Sequence, residues 1–193
     1  LTTQPAITSR RLRRQESDRY FFDLVEQWRA EYPAWLRDIN SNLEEVWSTA
    51  DIPEYINIGI WRDGEPYAFL TYRHTVEGWW ESHLESKRGA KAEELDGVIW
   101  EWGWGVFRDL GAEAIFAWIP VTNRVSAKMT EALQLHYDGT LRWYGTLRGK
   151  VLKWRRHTFY RKEWLYWYNL EEATRVSKTK DGDEAGYGNS VRG

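Results

Sequence analysis

The sequence predicts one mixed α/β domain, an α+β fold with a mixed sheet, over residues 1–170, followed by a polar C-terminal tail over 171–193. Three observations predict it. Helical stripes and strand-like runs follow one another in the order β-α-α-β-β-β-α-β-α-β-β. The 193 residues are 42% apolar and 16% aromatic, which is material for one core and leaves little room for a second. The segment 79–119 reads strand–helix–strand and ends in a short, continuously apolar run, the pattern of a crossover in a sheet covered on both faces.

The elements follow in order. Residues 6–14 predict a short strand containing Ile7 and Leu12. Ser17 is placed to cap a helix with the stripe Tyr20, Phe21, Leu24, Val25 and Trp28. Pro33 interrupts it and suits the first turn of a second helix, with the stripe Trp35, Leu36, Ile39, Leu43, Val46 and Trp47. From Tyr55 to Trp61 the chain alternates, with Ile56, Ile58 and Ile60 on one face and Tyr55, Asn57, Gly59 and Trp61 on the other. Asp63-Gly64 predicts a tight hairpin, and 65–75 the returning strand. A further strand spans 79–86. After a loop at 87–92, a helix over 93–110 turns Leu95, Val98, Ile99, Trp102, Val106 and Leu110 inward and stops at Gly111. Residues 114–119 form the buried strand, 123–137 a helix, and 141–146 and 156–164 two last strands joined through Gly149.

Composition removes several functions. With no cysteine there is no disulfide, thiolate nucleophile or cysteine metal site. No apolar run approaches the ~18 residues of a membrane-spanning helix, and no signal-peptide pattern opens the chain. A cytoplasmic setting without membrane association is expected. The net charge of −2 argues against a general polyanion binder, although residues 10–14 hold four arginines and 142–162 are basic. The 14 tryptophans fall mostly at core spacing, which favours packing over stacking platforms for bases or sugars.

Three motifs carry a resemblance. The first is His83-Leu-Glu-Ser-Lys-Arg-Gly-Ala-Lys-Ala92, a strand running through Arg88-Gly89 into a helix. The second is Ile119-Pro-Val-Thr-Asn123-Arg-Val-Ser126. The third is Tyr137-Asp-Gly-Thr-Leu-Arg142, then Gly149-Lys150, then Arg161-Lys-Glu-Trp164. Together they resemble the GNAT superfamily of acyl-CoA-dependent N-acetyltransferases, its ribosomal-protein-acetylating branch in particular, and the pattern is similar to phage-encoded GNAT-like proteins. The motifs span about half the chain. The resemblance implies acetyl-CoA as cosubstrate and an amine acceptor that attacks it directly in a ternary complex. It implies Arg88, Gly89, Ala90, Lys91 and Ala92 at the pyrophosphate, backbone of Leu84 and Ser86 along the pantetheine arm, and Asn123 with Ser126 on its other side. It also implies a setting in the cytoplasm of a host cell if the chain is phage-encoded.

The residues support this chemistry on their own terms. A helix start after a strand offers bare N–H groups and the positive end of a dipole to a diphosphate, and glycine lets the backbone come close. A strand with a period of two puts Glu81, His83 and Glu85 on one face, where any of them can relay a proton from an amine; solvated carboxylates and a packed histidine are the plainer account. Asn123 suits a helix N-cap equally well. One histidine among carboxylates does not suggest a metal site.

The sequence departs from the family pattern at three places. Lys91 replaces a loop glycine, Glu93 replaces a small residue, and Thr130 stands where a tyrosine acid is usual, leaving Tyr137 as a weak acid candidate. These departures keep a second reading open: a catalytically inactive GNAT-like structural or binding module, a homo-oligomer or a component of a phage assembly. A third is a nucleic-acid binder or modifier using the basic, aromatic strands 142–164; solvated amphipathic strands are the alternative there.

Overall fold

The computed structural model describes residues 5–31, 43–121, 123–132, 135–147 and 150–166. It divides into two compact units, Leu1–Phe159 and Tyr160–Gly193. The first contains strands β1 (Ile7–Arg11), β2 (Tyr55–Arg62), β3 (Glu65–Val76), β4 (Trp79–Ser86), β5 (Ala114–Pro120), β6 (His136–Leu147) and most of β7 (Lys150–Tyr160). Its helices are α1 (Glu16–Ala30), α2 (Leu43–Ser48), α3 (Ala92–Asp109) and α4 (Arg124–Ala132). The described part of the second unit is a short helix, α5, over 161–166. The predicted element order holds. The start of the second helix near Pro33, the connection through Gly149 and the tail 171–193 lie outside the described residues.

The seven strands form one sheet in the order β1-β2-β3-β4-β5-β7-β6. Strands β1 to β4 pair antiparallel in sequence order. The β2–β3 turn has Asp63 at φ 52° and Gly64 at φ 86°, the two left-handed residues that an Asp-Gly hairpin supplies. One face of the sheet carries Ile56, Ile58, Ile60, Ala68, Leu70 and Tyr72, all buried, and the Tyr72 hydroxyl donates to the Ile99 carbonyl of α3. The opposite face carries Gly59, Trp61 and Phe69 and is covered by α1 and α2, with Leu12, Phe21, Phe22, Val25, Trp28, Leu43 and Val46 as the core between them. At Gly59 the packing is close: a Cβ there would lie 2.6 Å from Trp61 and 3.0 Å from both Leu12 and Phe21.

Several boundaries differ from expectation, each for a local reason. Helix α1 is capped at Gln15, not Ser17, because Asp18, fully buried at the third helical position, accepts from the Arg13 N–H (2.8 Å), the Gln15 side chain (3.0 Å) and Arg10 (2.5 Å). Its buried face is rotated accordingly: Phe22 is buried and Tyr20 is 64% exposed. On α3, Phe107 is buried in place of Leu110, which is exposed beside the terminating Gly111 (φ 66°). Helix α4 ends at Ala132 rather than 137, because the Leu135 N–H returns to the Thr130 carbonyl (3.0 Å), a 6→1 bond that closes a helix. The last strand ends at Tyr160 rather than 164. Glu163 accepts from the Tyr160 N–H (3.3 Å), half of a capping box that starts α5.

Candidate active site

The position of the site follows from one irregularity in the sheet. Strands β4 and β5 are parallel neighbours, but only three rungs pair them: Trp79 with Ala114, Trp80 with Ile115 and Glu81 with Phe116. Beyond that, β4 runs on to Ser86 and β5 to Pro120 with no pairing to each other. The strands part, and the β4 edge from residue 82 onward carries no ladder to β5. Leu84 and Ser86, expected along a pantetheine arm, lie on this stretch.

Glu81 sits on the last paired rung, with His83 and Glu85 just past it. All three point to the face covered by α1 and α2, as the period of two requires. Cross-strand register extends each into a row: Tyr55, Arg73 and Glu81; Asn57, Thr71 and His83; Gly59, Phe69 and Glu85. A polar patch is thereby buried in the middle of an otherwise apolar face. Thr71 donates to Asn57 Oδ1 (3.0 Å), while Asn57 Nδ2 has no partner among the described residues. Glu81 is buried and held by Arg73, and His83 Nε2 lies 3.2 Å from Glu81 Oε1, out of line for a hydrogen bond. Glu85 is equally buried. Among the described residues its Oε2 has no hydrogen bond, and the nearest cation is Arg29 Nε of α1 at 3.5 Å. A cavity of about 30 Å³ opens between α2 and these rows, lined by Leu43, Val46, Phe69, Thr71, His83 and Glu85, with Glu45 also at its wall.

The two carboxylates titrate in opposite directions. Burial pushes Glu85 up to about 7; Arg29 and His83 pull against it and Glu26 adds to the rise. Burial also opposes ionisation of Glu81, but contact with His83 and Arg73 outweighs it and holds that carboxyl below the usual range. Among the described residues no set of three His, Asp or Glu side chains converges as metal ligands would.

The loop after β4 leads into α3. Gly89 has φ 86° with open space where a Cβ would project, and Lys87, Arg88 and Lys91 are exposed. Of the five amides over 89–93, two are already engaged: Ala90 N–H bonds the Lys87 carbonyl (3.0 Å) and Lys91 N–H bonds the Tyr67 hydroxyl (2.9 Å). The Tyr67 hydroxyl in turn donates to Glu94 (2.5 Å), which pairs with Arg62 (3.3 Å). The amides of Gly89, Ala92 and Glu93 have no partner among the described residues. Three amides, an open glycine and three cations fit a diphosphate; the Glu94 carboxylate in the first turn of α3 works against one.

Asn123 caps α4, its Oδ1 accepting from the Ser126 N–H (3.1 Å), and sits just after β5 ends. Thr130 is buried and its hydroxyl donates to the Ala127 carbonyl (2.8 Å), so it is spent within its own helix. Tyr137 is on β6 rather than on a continuing helix. It is exposed, its hydroxyl is shared with Thr140, and β7 lies between its strand and β5. Within the basic run, Arg156 pairs with Asp138 (3.1 Å) and lies over the rings of Trp79 (5.6 Å) and Trp118 (5.9 Å).

The sequence reading missed Arg29, Arg73, Tyr67 and Glu94. Arg29 was legible: with Phe22 and Val25 it falls at i, i+3 and i+7, on the buried stripe. Tyr67 and Glu94 had no such signal, since they meet only through the fold.

No protein-family model matches the chain, and no curated protein matches it in sequence. Solved structures do. A spermidine N-acetyltransferase from Vibrio cholerae in complex with CoA and spermine superposes with a TM-score of 0.66 at 13% identity, covering 82% of this chain and 98% of that one. An N-acetyltransferase from Staphylococcus aureus Mu50 gives 0.65 at 13%, covering 81% and 99%. The yncA protein of Salmonella typhimurium with its cofactor acetyl-CoA gives 0.62 at 13%, covering 80% and 94%. The chain has the GNAT fold.

Proposed function

We propose that this chain is an acetyl-CoA-dependent N-acetyltransferase that acylates an amine by direct attack in a ternary complex. The observation that carries this is the parting of β4 and β5 immediately past Glu81, with His83 and Glu85 on the adjoining face. The donor, when bound, supplies the activated acyl carbon. Arg88, Lys91 and the amides of Gly89, Ala92 and Glu93 hold its diphosphate, the stretch of β4 past its last rung with β5 pairs with its peptide-like arm, and Asn123 and Ser126 flank the arm from the start of α4. Glu85, ionising near neutrality, takes the proton from the acceptor nitrogen as that nitrogen bonds to the carbonyl carbon. Glu81 and His83 offer a relay outward. The carbon–sulfur bond then breaks, and with Thr130 spent and Tyr137 on β6 the thiolate takes its proton from solvent.

The test is thermal stabilisation by millimolar acetyl-CoA, together with thiol release in the presence of primary amines. Polyamines head the panel because one structural neighbour was solved with spermine. Stabilisation and acceptor-dependent thiol release support the proposal; neither one appearing overturns it. The Tyr67–Glu94 contact at the mouth of α3 favours a second reading, a GNAT-fold binding module without catalysis. Stabilisation by CoA without thiol release across the panel selects that reading.

A further inference from the structure

The face that α1 turns to the sheet carries an ion at each end. Asp18, Phe22, Val25 and Arg29 fall at i, i+4, i+7 and i+11, and all four are buried. Asp18 is satisfied at the helix start by three donors. Arg29, at the other end, is not satisfied to the same degree. Its NH1 holds Glu26 Oε1 (3.0 Å), while its Nε faces Glu85 Oε2 at 3.5 Å without hydrogen-bond geometry, so both of these atoms are buried and unbonded among the described residues. The side chains are 8% and 9% exposed. Burying such a pair gains little stability, since desolvation offsets the attraction unless the geometry is good. A leucine or methionine at 29 would continue the apolar stripe, so the arginine answers to something other than packing.

The groups that face Glu85 narrow down what that is. From β4 and β3 come His83, Glu81 and Arg73, but Arg73 is bound to Glu81 and His83 also leans towards it. From β2 comes Tyr55, and from α2 Glu45 at the cavity wall. From α1 come Glu26 and Arg29. Arg29 is thus the permanent cation closest to Glu85 among the described residues. We propose that Arg29 is a positioning residue that holds the Glu85 carboxylate at the cavity wall by its charge beside Oε2, without taking a hydrogen bond from that oxygen, so that the carboxylate keeps its accepting capacity for the acceptor amine. The role towards an acceptor rests on the transferase reading; the coupling between Arg29 and Glu85 does not.

The sign of the effect follows from the charges. Arg29 opposes the upward push of burial on Glu85, so removing it moves the Glu85 titration further up. The experiment compares wild type with Arg29→Met, Arg29→Lys and Glu26→Gln. Two readouts are taken: the carboxyl titration of Glu85 by carbon-13 NMR, assigned with Glu85→Gln, and the pH profile of kcat/KM with acetyl-CoA and spermine. In Arg29→Met the titration and the acidic limb both rise by about one pH unit, a roughly tenfold loss of kcat/KM below that limb. Arg29→Lys brings both back towards wild type. Glu26→Gln, at an exposed position, removes a like charge and releases Arg29 to Glu85, so both move to lower pH; this variant decides the matter if Arg29→Met does not fold. An unmoved Glu85 titration in Arg29→Met and Glu26→Gln overturns the proposal whatever the chain catalyses. A shifted titration without any turnover upholds the coupling and counts against the transferase reading instead.

Discussion

Glu81 and Glu85 are the same side chain on the same strand face, four residues apart, and they titrate on opposite sides of the ordinary value. Both are buried. Glu81 touches Arg73 and His83, whereas the closest cation to Glu85 among the described residues, Arg29, lies off-line at 3.5 Å. Contact decides the sign, since burial alone raises both. Glu85→Gln is expected to lower kcat by roughly 10²–10⁴ and to abolish the acidic limb near pH 7, measured as a pH–rate profile. The same carboxyl links stability to pH. Its folded value lies above the ordinary 4.5, so its contribution is fully present below pH 4.5 and is lost as pH rises through about 7. The loss is roughly 3 kcal/mol, and Glu85→Gln removes it; urea unfolding at pH 5 and pH 8 measures the difference. A second residue-scale expectation concerns Gly59. Gly59→Ala drives a methyl into Trp61, Leu12 and Phe21 and should destabilise the fold by about 1–3 kcal/mol, read by the same unfolding assay.

At the scale of elements, the first turn of α3 holds opposed tendencies. A helix start with bare amides attracts anions, yet this one already serves Tyr67 and carries Glu94. Tyr67→Phe leaves the ring in place, frees the Lys91 N–H and loosens Glu94. It should tighten CoA binding several-fold by calorimetry, and unchanged or weaker binding would show that this turn does not meet the diphosphate. Strand β4 was legible to the residue, because Gly78 before it and Lys87-Arg88-Gly89 after it bound an alternating run. The end of α4 and the end of β7 were not. One is set by a backbone bond from Leu135 to Thr130 and the other by Glu163 reaching the Tyr160 N–H. Both are local contacts, but they compete with apolar patterns that would as readily extend the helix or the strand.

At the scale of the molecule, the consequence of parted strands is a ligand-dependent stability. A ligand at 100 times its Kd adds ~2.7 kcal/mol, several degrees of Tm for a chain of this size, and acetyl-CoA should produce it. DNA or RNA should not, since Arg156 of the basic strands is taken up by Asp138 and two tryptophan rings; a salt-sensitive nucleic-acid complex would contradict this.

Taken by itself, the sequence determined the order of elements, the hairpin at Asp63-Gly64, the sidedness of β2 to β4 and the presence of Glu81, His83 and Glu85 on one face, because each depends on periodicity or on one residue's backbone preference. Only the tertiary structure decided that β5 leaves β4 after three rungs, that Arg73 meets Glu81 while Arg29 meets Glu85, and that Tyr67 reaches the start of α3. Those outcomes depend on distances between residues far apart in the chain, and a side chain's charge in a core is set by what the fold brings beside it.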